Sequence, residues 1–303
     1  MIKLENYNKT YSIQKDKIVI HDLSCFCIKH ILECGQVFRF ERITKMEING
    51  VKYAYKIISL NKIAVILEFE TYAEILTTDV NYFVNYFDLD TNYNNIKEKL
   101  SKDEILCEAI NYGYGIRILK QHPLETIVSF IISANNNIKR IQNSLNKISC
   151  LFGSKCKSSV NGESFEFYAF PNLEQLSKIK EEEFRNCGTG FRDKYLVDTI
   201  KKLQEGYLNN FEKLLASEAL SKLIKLKGIG PKVADCIMLF GYYNMCVFPV
   251  DTWIKKVYNS YYSKNIEEDV SVIRKNLTNK FGVLSGYAQQ YLFYYKREME
   301  KRW

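Results

Sequence analysis

The apolar pattern of this chain changes from strand-like to helix-like at about Glu104. Before that point, short apolar runs such as KIVIHDL, QVFRFERI and KIAVILEFE are typical of strands. Between the last two runs, Asn49-Gly50 supplies the residue pair that favours a type I′ turn, which predicts a β-hairpin within KMEINGVKYAYKIISL. Strands followed by helices predict an α+β fold, in which an antiparallel sheet domain precedes a helical domain.

The helical pattern is clearest in NNNIKRIQNSLNKISCLFG. Four apolar residues in it lie three, four and three positions apart, namely Ile138, Ile141, Leu145 and Ile148. This spacing places them on one face of a helix, which Asn137 is well placed to cap. With only four prolines, the chain offers no obvious linker. We therefore expect a sheet domain over residues 1–112 that packs against a helical domain over residues 113–303.

The composition is that of a folded protein. Of the 303 residues, 47% are apolar and 26% are charged, and no run reaches the roughly 18 apolar residues of a membrane helix. The first residues lack the apolar stretch of a signal peptide. We expect a cytoplasmic, nucleoid-associated protein in a bacterium, or a nuclear protein in a eukaryote. The net charge of +8 is a modest excess that fits a polyanionic partner without requiring one.

Nine cysteines raise the question of a metal or disulfide site. None of them forms a C-x-x-C pair, and His21, His30 and His122 are too scattered for a zinc pattern. The C-terminal region also lacks the four closely spaced cysteines of an iron–sulfur loop. We therefore expect free thiols in a reducing compartment, and neither a metal cluster nor a cofactor.

A glycine turn joins two predicted helices at LKGIGPK. The first helix is ASEALSKLIKL, and the second opens with Pro231, where the missing N–H of proline costs nothing. Gly228 and Gly230 permit positive φ and close approach by another backbone. The exposed amides of such a turn form a sequence-independent phosphate site. The same residues are also compatible with a plain connection between helices.

Two residues whose side chains could take part in a reaction lie near this turn. Lys232 begins the second helix, one turn before Cys236, and Asp251 begins a further helix in PVDTW. Taken alone, an exposed lysine and a helix-capping aspartate are the commoner interpretations. Together with the glycine turn, these two residues are typical of far fewer protein families than either residue is alone.

LKGIGPKVADCI followed by VFPVDTW resembles the helix-hairpin-helix DNA glycosylases, and among them the 8-oxoguanine DNA glycosylases. LECGQVFRF, HPLETIVSFIISANNNIKRI, GTGFRDKY and SGYAQQYLF resemble the same family in the same order, from about Gly35 to Phe293. The resemblance implies a twisted antiparallel sheet domain followed by an all-α glycosylase domain, with its hairpin at about residues 216–241. It also implies a monomer that acts on double-stranded DNA containing 8-oxoguanine, preferably opposite cytosine.

The resemblance further implies a bifunctional reaction, in which base excision is followed by cleavage at the abasic site. Lys232 would attack C1′ of the flipped nucleotide as a neutral amine and form a Schiff base. Asp251 would stabilise the oxocarbenium-like transition state. Since free lysine has a pKa of about 10.4, we expect the site to lower the pKa of Lys232.

The base pocket is also assigned by resemblance. The carbonyl of Gly35 would accept the N7–H that distinguishes 8-oxoguanine from guanine. Gln289 would contact the Watson–Crick edge, Phe293 would stack on the base, and Cys236 would lie against the base or Lys232. By residue type alone, these positions are also compatible with a strand-entry glycine, a surface glutamine, a core aromatic residue and a small buried cysteine.

Flipping leaves a gap in the duplex, and Asn135 resembles the residue that fills it. Arg140 and Arg192 resemble those that contact the orphaned cytosine. Phe191 stands where animal relatives have a wedge tyrosine, and Trp253 stands where a histidine is usual. These two departures leave the strictness of the cytosine preference open.

Backbone carbonyls in the hairpin resemble those that hold a monovalent cation in relatives, namely those of Ile224, Leu226 and Ile229. Two other functions stay open beside the main one. A glycosylase for another purine lesion, such as an alkylated base, fits less well with Gly35, Gln289 and Phe293. A non-catalytic module that docks on DNA would need the glycine turn but neither of the two catalytic side chains.

Overall fold

The computed structural model describes residues 10–44, 48–160, 162–263 and 266–300. The first part of the chain forms a six-stranded sheet with strand order β1-β2-β6-β5-β4-β3, in which neighbouring strands are antiparallel. The strands are β1 Tyr11–Gln14, β2 Lys17–Ile20, β3 Phe40–Arg42, β4 Tyr53–Ser59, β5 Lys62–Glu68 and β6 Ala73–Leu76. Three helices belong to this part, namely α1 Ile28–Glu33, α2 Val80–Tyr86 and α3 Tyr93–Leu100. The predicted antiparallel sheet is confirmed.

The central strand β5 is buried on both faces, which explains its continuous apolar run. Ala64 and Ile66 pack on one side in a cluster with residues of α1 and α2. Val65 and Leu67 pack on the other side, where Phe167 from a later hairpin covers them. The sheet therefore lies between its own helices and a segment from the second part of the chain.

The turn at Asn49-Gly50 differs from the predicted type I′. The amide of Val51 donates to the carbonyl of Ile48 at 3.3 Å, and Gly50 has φ +82°, but Asn49 does not share its positive φ. Residues 45–47 of the predicted hairpin lie outside the described residues. Those residues are most of the predicted first arm, so that hairpin stays a prediction; its second arm, as β4, pairs with β3, which lies in the run QVFRFERI. The connection runs from Arg42 at the end of β3 to Tyr53 at the start of β4. A type I′ turn is favoured in two-residue hairpins because its twist matches that of the strands, and a longer connection does not need it.

The second part of the chain is mainly helical, as predicted. Its helices are α4 Glu104–Tyr112, α5 Pro123–Ser133, α6 Ile138–Phe152, α7 Leu173–Ser177, α8 Glu181–Phe184, α9 Asp193–Gln204, α10 Ala216–Leu223, α11 Pro231–Gly241, α12 Thr252–Tyr261, α13 Val270–Phe281 and α14 Ser285–Glu300. In α6 the Asn137 side chain accepts a hydrogen bond from the amide of Arg140 at 2.9 Å, which confirms the predicted cap. None of the helices in the described ranges has the length and apolar character needed to cross a membrane.

One pair of strands interrupts these helices. Strands β7 Lys155–Val160 and β8 Glu163–Tyr168 form an antiparallel hairpin that packs on the outer face of the sheet through Phe167. The helical part is therefore not purely α. Burial against a distant part of the chain stabilises this hairpin. The pair Asn161-Gly162 between its strands is a local hairpin signal in the sequence that was overlooked.

The interior of the helical part also takes in residues from before the predicted boundary. Tyr93, Leu100 and Leu106 belong to the same buried cluster as α5, α11 and α14. The division between residues 1–112 and 113–303 thus stays a prediction. Helices α5 and α11 pack together, and α14 packs against both α4 and α12. This arrangement brings the N-terminal end of α11, within the hairpin at 216–241, close to the N-terminal end of α12.

Candidate active site

The glycine turn between α10 and α11 is a tight connection with two different glycines. Gly228 has φ +79°, and a Cβ there would lie 2.4 Å from Cδ2 of Tyr195. Gly230 has φ −88°, and a Cβ there would meet no atom within 4 Å. Gly228 is therefore required by packing within the protein, whereas Gly230 leaves an open surface that another backbone can approach.

Lys232, Cys236 and Asp251 come together at the start of α11 and α12. Lys232 lies in the first turn of α11, half-buried, with Nζ 5.8 Å from the ring centroid of Phe130 on α5. Cys236 is buried one turn further along and interacts with Lys232. Asp251 caps α12, since Oδ1 accepts a hydrogen bond from the amide of Ile254 at 2.9 Å. Its carboxylate also acts electrostatically on Lys232.

The charges in this cluster favour a protonated lysine. Cys236 and then Asp251 raise the pKa of Lys232, although burial opposes them. Burial raises the pKa of Cys236 to about 11. Burial likewise raises the pKa of Asp251, against the amide of Ile254 and the charge of Lys232, which lower it. The expectation that the site lowers the pKa of Lys232 is wrong for the protein without DNA, because the groups around the amine are acidic.

Gly35 and α14 form a second cluster. Gly35 has φ +86°, and a Cβ there would lie 3.2 Å from Cε1 of Phe293 and 3.1 Å from Nη1 of Arg297. Phe293 is half-buried, with the guanidinium carbon of Arg297 5.2 Å from its ring centroid. Gln289 lies one turn before Phe293 and is 5% exposed. Its Oε1 is buried and has no hydrogen-bond partner among the described residues. An unpaired buried oxygen costs free energy, so this one favours a bound donor.

Asn135, Arg140, Phe191 and Arg192 lie on one surface between α5 and α9. Asn135 is exposed in a left-handed conformation with φ +50°, which asparagine adopts more readily than most other non-glycine residues. Phe191 is 55% exposed, and the guanidinium carbon of Arg192 lies 4.4 Å from its ring centroid. Exposed Arg140 is close enough to add to the effect of burial, which lowers the pKa of Arg192.

The guanidinium of Arg192 is committed to the protein backbone. It donates from Nε to the carbonyl of Ala134 at 2.9 Å, from Nη2 to that of Asn135 at 3.0 Å and from Nη1 to that of Thr189 at 3.2 Å. The side chain is 6% exposed. Arg192 therefore holds the Asn135 turn in place, a role that no local pattern in the sequence indicates.

The remaining predicted residues lie nearby. The carbonyl of Leu226 accepts a hydrogen bond from the amide of Ile229 at 3.2 Å within the turn, and the cation at Ile224, Leu226 and Ile229 stays a prediction. Trp253 follows Asp251 in α12, and Nζ of Lys256 lies 4.8 Å from its ring centroid. The described His, Cys, Asp and Glu side chains form no group of three that suits a metal ion.

Sequence reasoning missed the side chains that support Gly35. Buried Gln36 donates from Nε2 to the carbonyls of Ile31 at 2.9 Å and Arg117 at 2.8 Å. Gln290 donates from Nε2 to the carbonyl of Cys34 at 2.7 Å. Both glutamines stand beside residues in the quoted motifs, in LECGQVFRF and SGYAQQYLF, but their direction depends on tertiary contacts.

Family models cover most of this architecture. Residues 18–127 match the family described as 8-oxoguanine DNA glycosylase, N-terminal domain. Residues 128–281 match the HhH-GPD superfamily base excision DNA repair protein. The chain belongs to this superfamily, in its 8-oxoguanine DNA glycosylase branch. The predicted family is confirmed.

Individual relatives agree with this membership. The chain is 35% identical to an N-glycosylase/DNA lyase of Arabidopsis thaliana over 204 residues, which are 63% of this chain and 55% of that protein. It is 30% identical to an N-glycosylase/DNA lyase of Saccharomyces cerevisiae over 312 residues, which are 88% of this chain and 82% of that one. The alignment thus spans about half the length of the Arabidopsis relative and most of the yeast one.

A solved structure matches nearly the whole chain. The 8-oxoguanine glycosylase/lyase of Clostridium acetobutylicum, in complex with dsDNA containing cytosine opposite to 8-oxoG, has a TM-score of 0.86 and 38% identity. The match covers 96% of this chain and 98% of that one. A 3-methyladenine DNA glycosylase from Archaeoglobus fulgidus, at 21% identity, shares the fold alone.

Proposed function

We propose that this protein is a bifunctional DNA glycosylase and abasic-site lyase, which excises 8-oxoguanine paired with cytosine. The cluster of Lys232, Cys236 and Asp251 beside the glycine turn carries the proposal, because it supplies a nucleophile and a carboxylate at one point. The relatives' names support the same activity. One chain contains every proposed site residue, so a monomer is sufficient.

In the first step the damaged nucleotide is flipped out of the duplex into the pocket. The neutral amine of Lys232 attacks C1′ while the glycosidic bond breaks, and the electron pair of that bond leaves with the base, which takes up a proton. Positive charge develops on the sugar in the transition state. The carboxylate of Asp251 stabilises that charge, as in other glycosidic cleavages.

In the second step the sugar ring opens, and C1′ and the lysine nitrogen become a protonated Schiff base. This cation acidifies the C2′ hydrogens, so a proton leaves C2′ and the C3′–O bond breaks. The DNA fragment on the 3′ side departs with the phosphate on its 5′ end. Water then hydrolyses the Schiff base and frees Lys232. Both steps use the same amine, which explains why one residue serves excision and strand cleavage.

The proton on Lys232 must leave before the attack. Cys236 and Asp251 favour the ammonium form in the free protein. When DNA binds, the nucleotide excludes water from the site, and this desolvation favours the neutral amine. The rate of excision is therefore expected to rise with pH, because the raised pKa leaves little neutral amine near pH 7.

Base recognition rests on Gly35, Gln289 and Phe293. The Gly35 carbonyl accepts the N7–H of 8-oxoguanine, whereas guanine would present a lone pair there and be repelled. Phe293 stacks on the base, and the unpaired Oε1 of Gln289 accepts from its Watson–Crick edge. Asn135 fills the gap that the flipped base leaves. On the other strand, Phe191 stacks as a wedge and Arg140 contacts the cytosine.

Borohydride trapping tests the proposal. The protein is incubated with a duplex that contains one 8-oxoguanine opposite cytosine, and borohydride then reduces any Schiff base to a stable adduct. We expect an adduct with the wild type and none with Lys232→Gln. The matched control is Lys225→Gln, which removes another lysine of the same hairpin and should leave the adduct intact.

The other outcomes are informative. Base release without any adduct would reduce the protein to a simple glycosylase. Excision of an alkylated purine in place of 8-oxoguanine would contradict the proposed substrate. An adduct that persists in Lys232→Gln would show that another amine attacks C1′.

A further inference from the structure

The carbonyl groups around Gly35 are used unequally. Four of them accept hydrogen bonds from side chains, namely the carbonyls of Ile31, Glu33, Cys34 and Gln36. Among the described residues, no donor reaches the carbonyl of Gly35. The segment is therefore tied down on both sides of one free acceptor.

Glycine makes this segment easy to rotate. Gly35 has no Cβ and adopts φ +86°, so rotation about its φ meets little steric resistance from its own side chain. The carbonyl of Cys34 and the amide of Gly35 belong to one rigid peptide plane. A group that fixes the Cys34 carbonyl therefore fixes the peptide plane that enters Gly35, while the buried Gln36 side chain holds the next residue through the carbonyls of Ile31 and Arg117. The Gly35 carbonyl belongs to the peptide plane between these two anchors.

Gln290 is the group that fixes the Cys34 carbonyl. Its Nε2 donates to the Cys34 carbonyl at 2.7 Å, and both residues are almost completely buried, at 1% and 0% exposure. A buried hydrogen bond between neutral groups is expensive to leave unmade, so it restrains the peptide plane strongly. Arg297 adds a second anchor one residue earlier, since its Nη2 donates to the carbonyl of Glu33.

The anchors and the pocket side chains stand on the same helix. Gln289 and Phe293 lie one turn apart on α14, with Phe293 beside Gly35, and Gln290 and Arg297 bind the backbone before Gly35. A shift of α14 would therefore move the stacking ring, the amide and the free carbonyl together. This geometry keeps the three recognition groups in register.

We propose that Gln290 is a positioning residue that determines base specificity, by aiming the Gly35 carbonyl at N7 of the flipped purine. The inference rests on the proposed function, in which that carbonyl separates 8-oxoguanine from guanine. Gln290 acts through the backbone and touches no substrate atom.

Equilibrium binding in a Lys232→Gln background tests this role, because that protein cannot turn over the DNA. Duplexes containing either 8-oxoguanine or guanine opposite cytosine are titrated against the protein, with and without Gln290→Met, which keeps the length of the side chain but removes the donor. We expect the preference for 8-oxoguanine to fall about tenfold, the worth of one buried hydrogen bond. Affinity for the guanine duplex should stay unchanged.

Gln290→Glu supplies a second test with nearly the same shape. An ionised carboxylate would repel the Cys34 carbonyl, and a protonated one would donate to it again. The preference for 8-oxoguanine should therefore be weak at neutral pH and recover as the pH falls. A change in packing alone would not produce that recovery.

Three results separate the outcomes. An unchanged preference in folded Gln290→Met would overturn the inference. An equal loss of affinity for both duplexes would assign Gln290 a merely structural role and also overturn it. A Lys232→Gln parent without any preference would instead contradict the proposed function on which the inference rests.

Discussion

Asp251 combines two roles at the level of the single residue. It caps α12 through the amide of Ile254, and its charge faces Lys232. Burial raises its pKa above the ordinary value of 3.8. An ionised group with a raised pKa opposes folding at neutral pH, and this cost disappears as the pH falls through that pKa. Its charge therefore serves the proposed reaction at the expense of stability.

Asp251→Asn separates these roles, because asparagine is an equally good helix cap. We expect the unfolding temperature to stay the same or rise, while the rate of 8-oxoguanine excision falls by about a hundredfold or more. Asp251→Ala should lose the same activity and also about 1 kcal/mol of stability with the cap. Single-turnover excision and thermal denaturation measure the two quantities.

The pH profile provides the check on this assignment. Wild-type excision should fall in acid as Asp251 becomes protonated, at a pH above 3.8. The fall should be less steep in Asp251→Asn, where only Lys232 still titrates. If the two profiles were parallel throughout, the charge of Asp251 would not contribute to the rate.

The sequence identified candidate site residues better than it predicted their contacts. Lys232, Asp251 and Gly35 each lie within a longer motif that resembles the family, so the resemblance assigned each of them to a site. The hydrogen bonds of Gln290 and Arg192 were not predictable, because each reaches a backbone segment far away in the sequence. The predicted direction of the pKa shift of Lys232 was wrong for the same reason, because the shift depends on which groups the fold places around the amine.

At the scale of elements, local signals worked where local chemistry decides the structure. The Asn137 cap predicted the start of α6, and the run KIAVILEFE predicted β5. The pair β7 and β8 was missed, although Asn161-Gly162 between the strands is the same turn signal as Asn49-Gly50. Helices α1 and α2 within the strand-rich part were missed because packing on the inner face of the sheet places them. Helix α3 was missed because it packs through Tyr93 and Leu100 into the helical cluster.

The two glycines of the turn lead to opposite predictions. In Gly228→Ala the new Cβ would lie 2.4 Å from the ring of Tyr195 at a positive φ, so we expect a loss of about 2 kcal/mol or more in the free energy of unfolding. In Gly230→Ala the methyl group meets nothing, so stability should change by less than about 0.5 kcal/mol. Chemical denaturation of both variants measures the difference.

DNA binding completes this comparison. Gly230 leaves an open surface, so the added methyl group should weaken binding to undamaged duplex DNA if a phosphate approaches the turn closely. Because the variant keeps its fold, a loss of affinity reports on that approach directly. Unchanged affinity in Gly230→Ala would place the phosphate contact elsewhere.

At the scale of the whole molecule, buried polar groups join the two parts of the chain. Asp88, 1% exposed, lies between α2 and α3 and accepts hydrogen bonds from the hydroxyls of Tyr93 and Tyr243. It also pairs with Lys120 at 2.7 Å. Arg117 donates to the carbonyls of Cys25 and Phe87 and to those of two further residues, Asp88 and Thr91. These contacts tie the segment around Asp88 to Arg117, Lys120 and Tyr243 of the helical part.

We therefore expect one cooperative unfolding transition, with the same midpoint by far-UV circular dichroism and by tryptophan fluorescence. Asp88→Ala would remove the acceptor of the buried Tyr93 hydroxyl, one of the two partners of Tyr243 and the ion-pair partner of Lys120, so it should cost about 2–3 kcal/mol. It should also separate the two midpoints, because the shared network no longer links the parts. The control Glu174→Ala removes one partner of an exposed ion pair and should change neither midpoint. Two separate transitions in the wild type would mean that the sheet and the helices fold independently, and that the pocket between them is not held by a common core.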